Sequence, residues 1–383
     1  MATSRQSASS PLTALLIRRI RAHGPISFAE YMRECLYHPL YGYYSRAQAK
    51  RFVDYYTSVD VHPIFGRLLA RQLEEMWRIL AKPQPFCVVE AGAGTGQLAR
   101  NILDFAAREL PNFYHALNYI AVERSAARRA IQETILAAHW TAGCCESAAE
   151  MPHEIPVGCV LSNELVDALP VHRVMFRNNA LQEILVGVEG EHLCELSGPL
   201  TTCAIREYFA TQAISLGDEQ QAEASLEACD WIVEVGRRLG CGFVLTIDYG
   251  HEAAELYSQG HFRGTLLAYR EHQVSEDFLA APGEQDLTAH ANFTALEEWG
   301  KRSGLVRIGL VPQSRFLMAL GKGNQFADLY DQGRDRDESE TEKIRGRLLL
   351  KTLIFPEGMG ETFKVMVQHK GVAQPVLRGL SSL

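Results

Sequence analysis

The 383-residue sequence lacks any apolar run of the roughly 18 to 20 residues that a membrane-spanning helix needs. No signal-peptide core follows its first residues, so a soluble protein without a membrane span is expected. Positive charge is also in short supply: 38 Lys and Arg stand against 46 Asp and Glu, a net charge of -8. That excludes a basic field able to hold a nucleic-acid backbone, a local patch such as Arg124, Arg128 and Arg129 apart. A protein or small-molecule substrate is the better expectation. The nine cysteines are an odd number without paired metal-ligand spacing, and the adjacent Cys144 and Cys145 are poor disulfide partners for each other. They read as reduced thiols in a cytosol-like compartment, with no metal site implied. Internal repeats and low-complexity tracts are absent too.

What is present is ordinary globular material, 47% hydrophobic and 22% charged, which excludes a disordered or fibrous chain. The length admits one large domain with insertions, or roughly two to three units. Residues 1–29 carry no acid and include Arg5, Arg18, Arg19 and Arg21, which superficially suits a mitochondrial transit peptide. Because Leu12, Leu15, Leu16 and Ile20 recur at helical spacing, we read an ordinary first helix instead. Gly24-Pro25-Ile26 breaks it, Ser27 caps a second helix to about Tyr37, and an aromatic loop leads to a helix over about Pro63–Leu80.

From Phe86 the pattern changes to alternating strand and helix. Strands are expected at Phe86–Glu90, Tyr119–Val122 and Val157–Leu161, with helices near Gly96–Leu110 and Ala126–Ala138. Such alternation implies an α/β fold with a parallel sheet covered by helices. Residues 169–240 interrupt it with strand-like runs at Val171–Phe176 and Leu181–Val188 and a long helical stretch after Glu219, and we read them as an inserted lobe covering the substrate face. The core resumes with the apolar Gly242–Ile247, the turn Asp248-Tyr249-Gly250-His251, and strands near Leu305–Val311 and Thr362–His369. The expected organisation is thus an N-terminal helical extension and lid (1–82), a first core part (83–168), the lobe (169–240) and core completion (241–383). The charged run Arg334–Arg345 suits a solvated face.

The densest motif is Val88-Val89-Glu90-Ala91-Gly92-Ala93-Gly94-Thr95-Gly96. Glycine lets backbone approach a ligand closely and tolerates positive φ, which is the use of Gly92, Gly94 and Gly96 after a buried strand. The glycines alone also satisfy a dinucleotide template and leave a nucleotide-linked oxidoreductase as an alternative. Glu90 shifts the balance. A carboxylate at the strand's end complements the ammonium of S-adenosylmethionine (SAM) and repels a pyrophosphate. Glu123 closes the next strand, where it can accept from both ribose hydroxyls. Cys145-Glu146-Ser147 is placed after the third strand, with Glu146 and Ser147 as candidates for the adenine edge. Asp54, Thr57 and Ser58 lie on a polar, aromatic loop that makes a plausible lid over the cofactor, while Tyr41, Tyr43 and Tyr44 read as packing residues.

With these residues in place, the chain resembles the MidA family of SAM-dependent methyltransferases, as a bacterial member. The resemblance runs from Gly24-Pro25-Ile26-Ser27-Phe28-Ala29-Glu30-Tyr31-Met32 to Met359-Gly360-Glu361. Between them stand Tyr56-Thr57-Ser58, the glycine turn, Asn163-Glu164-Leu165-Val166-Asp167-Ala168-Leu169-Pro170-Val171-His172, Asp248-Tyr249-Gly250-His251, and Pro282–His290. The resemblance implies a Rossmann-like, seven-stranded class I methyltransferase fold, SAM as methyl donor, and a protein arginine as acceptor. Its mitochondrial members are complex I assembly factors, so a respiratory complex I subunit is the implied type of partner, in the cytoplasm or, in a eukaryote, the mitochondrial matrix. After His290 the family pattern Val-Asp-Phe is expected, but Ala291, Asn292 and Phe293 stand here, so Asn292 takes no acidic role.

An arginine acceptor is a planar cation that needs carboxylates to orient its nitrogen fork. Glu164 and Asp167, just beyond the fourth strand, sit where such groups belong, with Glu164 first and Asn163 as a contact for an amide or for SAM. The bland reading makes Asp167 a turn cap and Glu164 a solvent-facing acid. Asp286-Leu287-Thr288 either lines the acceptor entrance or caps the helix at Phe293–Trp299. A non-catalytic scaffold that keeps the fold is the second alternative, and a homodimer stays open.

Overall fold

Six consecutive buried residues, Phe86–Ala91, form β1, and their apolar continuity is what a strand covered on both faces requires. It is the centre of one of two compact units in a computed structural model that describes residues 10–45, 62–270, 273–323, 325–326, 348, 351–353, 355 and 360–382. This unit draws on Tyr56–Asp167, Cys229–His251 and Phe293–Leu383. Its other strands are β2 (Leu117–Val122), β3 (Cys145–Ala148), β4 (Ile155–Asn163), β5 (Leu239–His251), β6 (Val306–Pro312) and β7 (Phe363–Lys370). The sheet order is β6-β7-β5-β4-β1-β2-β3. β1 to β5 run parallel, and β7 runs antiparallel between β5 and β6. Among the described residues, one two-residue strand off this path makes the count eight rather than the expected seven.

α1 spans Ile64–Ile79, α2 spans Gln97–Glu109 and α3 spans Ala126–Ile135. The core joins Phe65, Leu69 and Leu73 of α1, Leu98 and Ile102 of α2, and Val88, Tyr119, Leu161, Phe243 and Val365 of the sheet. Burying such side chains contributes roughly 1.5 to 3 kcal/mol each. No disulfide forms among the nine cysteines.

The second unit gathers Met1–Tyr55, Ala168–Ala228 and Glu252–Asn292. Its helix Phe28–Tyr37 starts on a full capping box, Ser27 with Glu30, as the sequence signals. An antiparallel sheet runs Ile26–Ser27, Ala180–Glu189, His172–Arg177, Gln221–Ala224, with His192–Gly198 beside Ala180–Glu189. Leu12, Phe28, Tyr31, Val186, Phe278 and Leu287 form its core, with Tyr43 and Tyr44 packed among them, and the Tyr44 hydroxyl donates to Asp286.

Four local expectations are corrected by pairing. The helical stretch expected after Glu219 begins only at Leu226, because Gln221–Ala224 first pairs with His172–Met175. Asp248-Tyr249-Gly250-His251 is no turn: β5 continues through it, with Asp248 and Tyr249 opposite Lys364 and Phe363. Cys145-Glu146-Ser147 does not follow the third strand but is that strand, held in register by Tyr119–Ala121. Asp286–Thr288 is a buried strand against Leu267–Tyr269 rather than a helix cap. The run Arg334–Arg345, Asp54 and Met359 lie outside the described residues.

Candidate active site

The connection from β1 leads to β2 on one side of the sheet, while β4 lies on β1's other side. Parallel α/β sheets open a crevice at this reversal of order, beyond the carboxyl ends of the strands. The residues that end β1, β2, β4 and β5 therefore decide the chemistry.

At the end of β1 the turn glycines all have positive φ, +74° at Gly92, +56° at Gly94 and +84° at Gly96, a conformation a side chain would strain. Gly96 opens α2. Glu90, buried in β1, accepts a 2.7 Å hydrogen bond at Oε2 from the Tyr119 hydroxyl of β2. Burial pushes its carboxyl up to about 8, with the Tyr119 hydrogen bond pulling it back and the Glu123 charge adding to the rise. Glu123 follows β2 and ties the turn together, because its carboxylate accepts from Gly94 N at 3.0 Å and from Ser125 N at 2.8 Å. A carboxylate has about four acceptor positions, so two remain for ligand hydroxyls. Gln132 of α3, which the sequence reading passed over, donates to Gly94 O at 2.9 Å and accepts from Ser147 Oγ at 2.5 Å. Alternation along β3 sends Ser147 and Glu146 to opposite faces. Ser147 thereby joins the glycine turn, and the exposed Glu146 does not.

At the end of β4, Asn163 Nδ2 donates to Glu164 Oε1 at 3.2 Å. Glu164 is 7% exposed, which removes the reading of a merely solvent-facing acid. Its φ of +52° is left-handed, a conformation a non-glycine residue keeps only when its surroundings impose it. Asp167 is buried three residues on. The fully buried Asp248 of β5, given no role from the sequence, faces this loop: its Oδ2 accepts from Leu165 N at 3.1 Å, Val166 N at 2.8 Å and Asp167 N at 3.4 Å. Burial raises the Asp248 carboxyl well above the usual carboxylate range, with the charges of Asp167 and Glu164 adding and the loop N–H groups opposing. Leu165 in turn covers Gly92, where an added Cβ would stand 2.9 Å from Leu165 Cδ1. Thr57 and Ser58 lie outside the described residues. His290 belongs to the other unit, where its N–H donates to Thr265 Oγ1, and Asn292 there donates to Tyr208, Gln212 and Tyr257 rather than serving as an acid.

These residues fit SAM. The turn offers bare backbone, Glu90 a carboxyl able to ionise beside an ammonium, and Glu123 spare acceptors for ribose hydroxyls. In addition, Asn163 Oδ1 is a buried acceptor with no hydrogen-bond partner among the described residues, which a ligand donor would satisfy.

Comparison with known proteins points the same way. Residues 68–311 match the profile of a family described as "Putative S-adenosyl-L-methionine-dependent methyltransferase". The mitochondrial "Protein arginine methyltransferase NDUFAF7 homolog" of Drosophila melanogaster is 28% identical over 391 residues, covering 96% of this chain and 86% of that protein. The corresponding protein arginine methyltransferase NDUFAF7 of Homo sapiens is 27% identical, over 93% of this chain and 83% of that protein. Among solved structures, a COG1565 superfamily member from Burkholderia thailandensis bound to S-adenosyl-homocysteine superposes with a TM-score of 0.85 at 28% identity. It covers 97% of this chain and 95% of its own.

Proposed function

The chain belongs to this family of SAM-dependent methyltransferases, and from that premise we propose that it methylates an arginine of a partner protein. The observation that carries the acceptor is the pair of buried carboxylates Glu164 and Asp167, just beyond β4 and next to the glycine turn, backed by Asp248 of β5. A guanidinium is planar and permanently charged, so a buried site for it must supply acceptors and offset its charge. The names of the NDUFAF7 relatives support the same acceptor.

Bound SAM supplies a methyl group on a sulfonium, open to in-line displacement. Toward it, Glu90 would pair the ammonium, Glu123 would accept from the ribose hydroxyls, and Ser147, which donates to Gln132, would lie on the adenine side. Glu164 would orient the guanidinium and offset its charge, with Asn163 holding the Glu164 carboxylate. Alignment of the two reactants is the main catalytic contribution available to such a site. The resemblance to complex I assembly factors suggests a respiratory complex I subunit as partner, in the mitochondrial matrix or a bacterial cytoplasm. Among the described residues no helix is long and apolar enough to cross a membrane. A homodimer is the oligomeric form to test, by light scattering.

The experiment is methyl transfer from labelled SAM to proteins of the host, with methylated arginine read by mass spectrometry. Glu164→Gln is expected to hold SAM within about 3-fold of the original affinity and to lose transfer by about 100-fold or more. Unchanged turnover in that variant removes Glu164 from its role. SAM binding without transfer to any protein would favour a scaffold instead.

A further inference from the structure

Both carboxylate oxygens of Asp248 are engaged by backbone N–H groups. Oδ2 collects the N–H groups of Leu165, Val166 and Asp167, and Oδ1 accepts from Tyr249 N at 3.0 Å. The three loop donors belong to consecutive residues directly after Glu164, whose own N–H donates to Ile247 O at 2.9 Å, the residue before Asp248. Glu164 is thus clamped from both sides by β5, and it is the residue held at φ +52°. A left-handed non-glycine residue is strained and persists only where neighbouring contacts impose it. The loop itself is short, with Val166–Ala168 forming a single 3-10 turn, so these contacts from β5 bear directly on it.

We propose that Asp248 is a positioning residue for the acceptor side: it holds the Glu164–Asp167 loop, and with it the strained Glu164, in the geometry that receives the substrate guanidinium. The guanidinium part of this inference rests on the function proposed above, while the clamp itself does not. Asp248 meets the substrate only through Glu164. The same grip sets Leu165 over Gly92 and so fixes the separation between acceptor loop and cofactor turn.

The test compares Asp248→Ala and Asp248→Asn in the full chain. Asn keeps one oxygen for the three loop donors, whereas Ala keeps none. Backbone hydrogen exchange at Leu165, Val166 and Asp167 is expected to accelerate by about 10-fold or more in Asp248→Ala and to return toward the original rate in Asp248→Asn. With labelled SAM and a pool of arginine-containing peptides as probe, Asp248→Ala should lower kcat by about 10-fold or more while the SAM Kd stays within about 3-fold, and Asp248→Asn should recover most of kcat. Loop exchange unchanged in Asp248→Ala, SAM affinity lost in proportion to kcat, or an Asn variant no better than Ala each overturns the proposal. If Asp248→Ala does not fold, Asp248→Asn decides alone: exchange faster at Tyr249 but not at Leu165–Asp167 supports the clamp, and equal acceleration at all four overturns it. If the original protein methylates no peptide, the acceptor reading fails, while the exchange measurements still judge the clamp.

Discussion

Oε2 of Glu90 accepts a 2.7 Å hydrogen bond from the hydroxyl of Tyr119 on the adjacent strand, in a setting where both side chains are buried. Burial holds the Glu90 carboxyl up at about 8 in the ligand-free protein against the downward pull of that hydrogen bond, and Glu90 is the acid we propose to meet the cofactor's ammonium.

One consequence is a pH-dependent affinity. Between the unfolded value of 4.5 and about 8, Glu90 keeps a proton that the unfolded chain would release. Its contribution to ligand-free stability is therefore full below 4.5 and lost as pH rises through about 8. An ammonium partner needs the ionised form, so SAM affinity is expected to climb by up to about tenfold per pH unit toward pH 8 and then level off. Calorimetry in buffers of different ionisation enthalpy should record proton release on binding. Glu90→Gln should flatten the profile, and a flat profile in the unaltered protein would falsify the pairing.

Tyr119→Phe removes the hydrogen bond that holds Glu90 down, so the rise in SAM affinity is expected to shift to higher pH. The variant should also lose about 1 kcal/mol of stability, read by urea titration. A profile identical to that of the original protein would show that the hydroxyl does not tune Glu90.

Gly96→Ala puts a side chain on a residue at φ +84°, where its Cβ stands 3.2 Å from Gln132 Cγ and from Leu136 Cδ1. The left-handed backbone conformation alone is expected to cost about 1 to 2 kcal/mol. Because Gln132 also holds Gly94 O and Ser147, SAM affinity should fall together with the melting temperature. Thermal melts with and without SAM check both, and retention of full affinity would separate the turn from the ligand.

His139 gives a pH effect away from the site. Burial draws its imidazolium down, but the hydrogen bond to Asp104 at 3.0 Å, that carboxylate's charge and the neighbouring Cys144 together outweigh it and carry the group from 6.5 to about 9. The stability it contributes is present below about 6.5 and lost as pH rises through about 9. Melting temperature followed from pH 6.5 to 9.5 should drop more steeply for the original protein than for Asp104→Asn, with about 1 to 3 kcal/mol at stake. Parallel curves would refute the ion pair.

The cofactor half of the site is largely legible in the sequence because it is local. Glu90 and the three glycines lie within seven residues, and Glu123 ends the next apolar run. The acceptor half is legible only in part. Glu164 and Asp167 stand out as acids after a strand, but nothing nearby tells a buried, strained Glu164 from a solvent-facing one. Asp248 stands within a motif that carries the resemblance, yet neither it nor Gln132 nor Tyr119 shows a role in the sequence, since a glutamine on a helix, a tyrosine in a strand and an aspartate before a tyrosine are ordinary residues in isolation.

By itself, then, the sequence determined the alternation of strands and helices, the turn that only glycine fits, and the acids that end β1 and β2, because apolar continuity, positive φ and strand ends are short-range properties. Tertiary structure alone decided that β5 lies beside β4 and runs on through Asp248, which brings that carboxylate to amides more than 80 residues earlier in the chain. It also decided that Ser147 rather than Glu146 faces the glycine turn, because the face a strand residue occupies is set by register with a distant strand, and a one-residue slip would exchange the two.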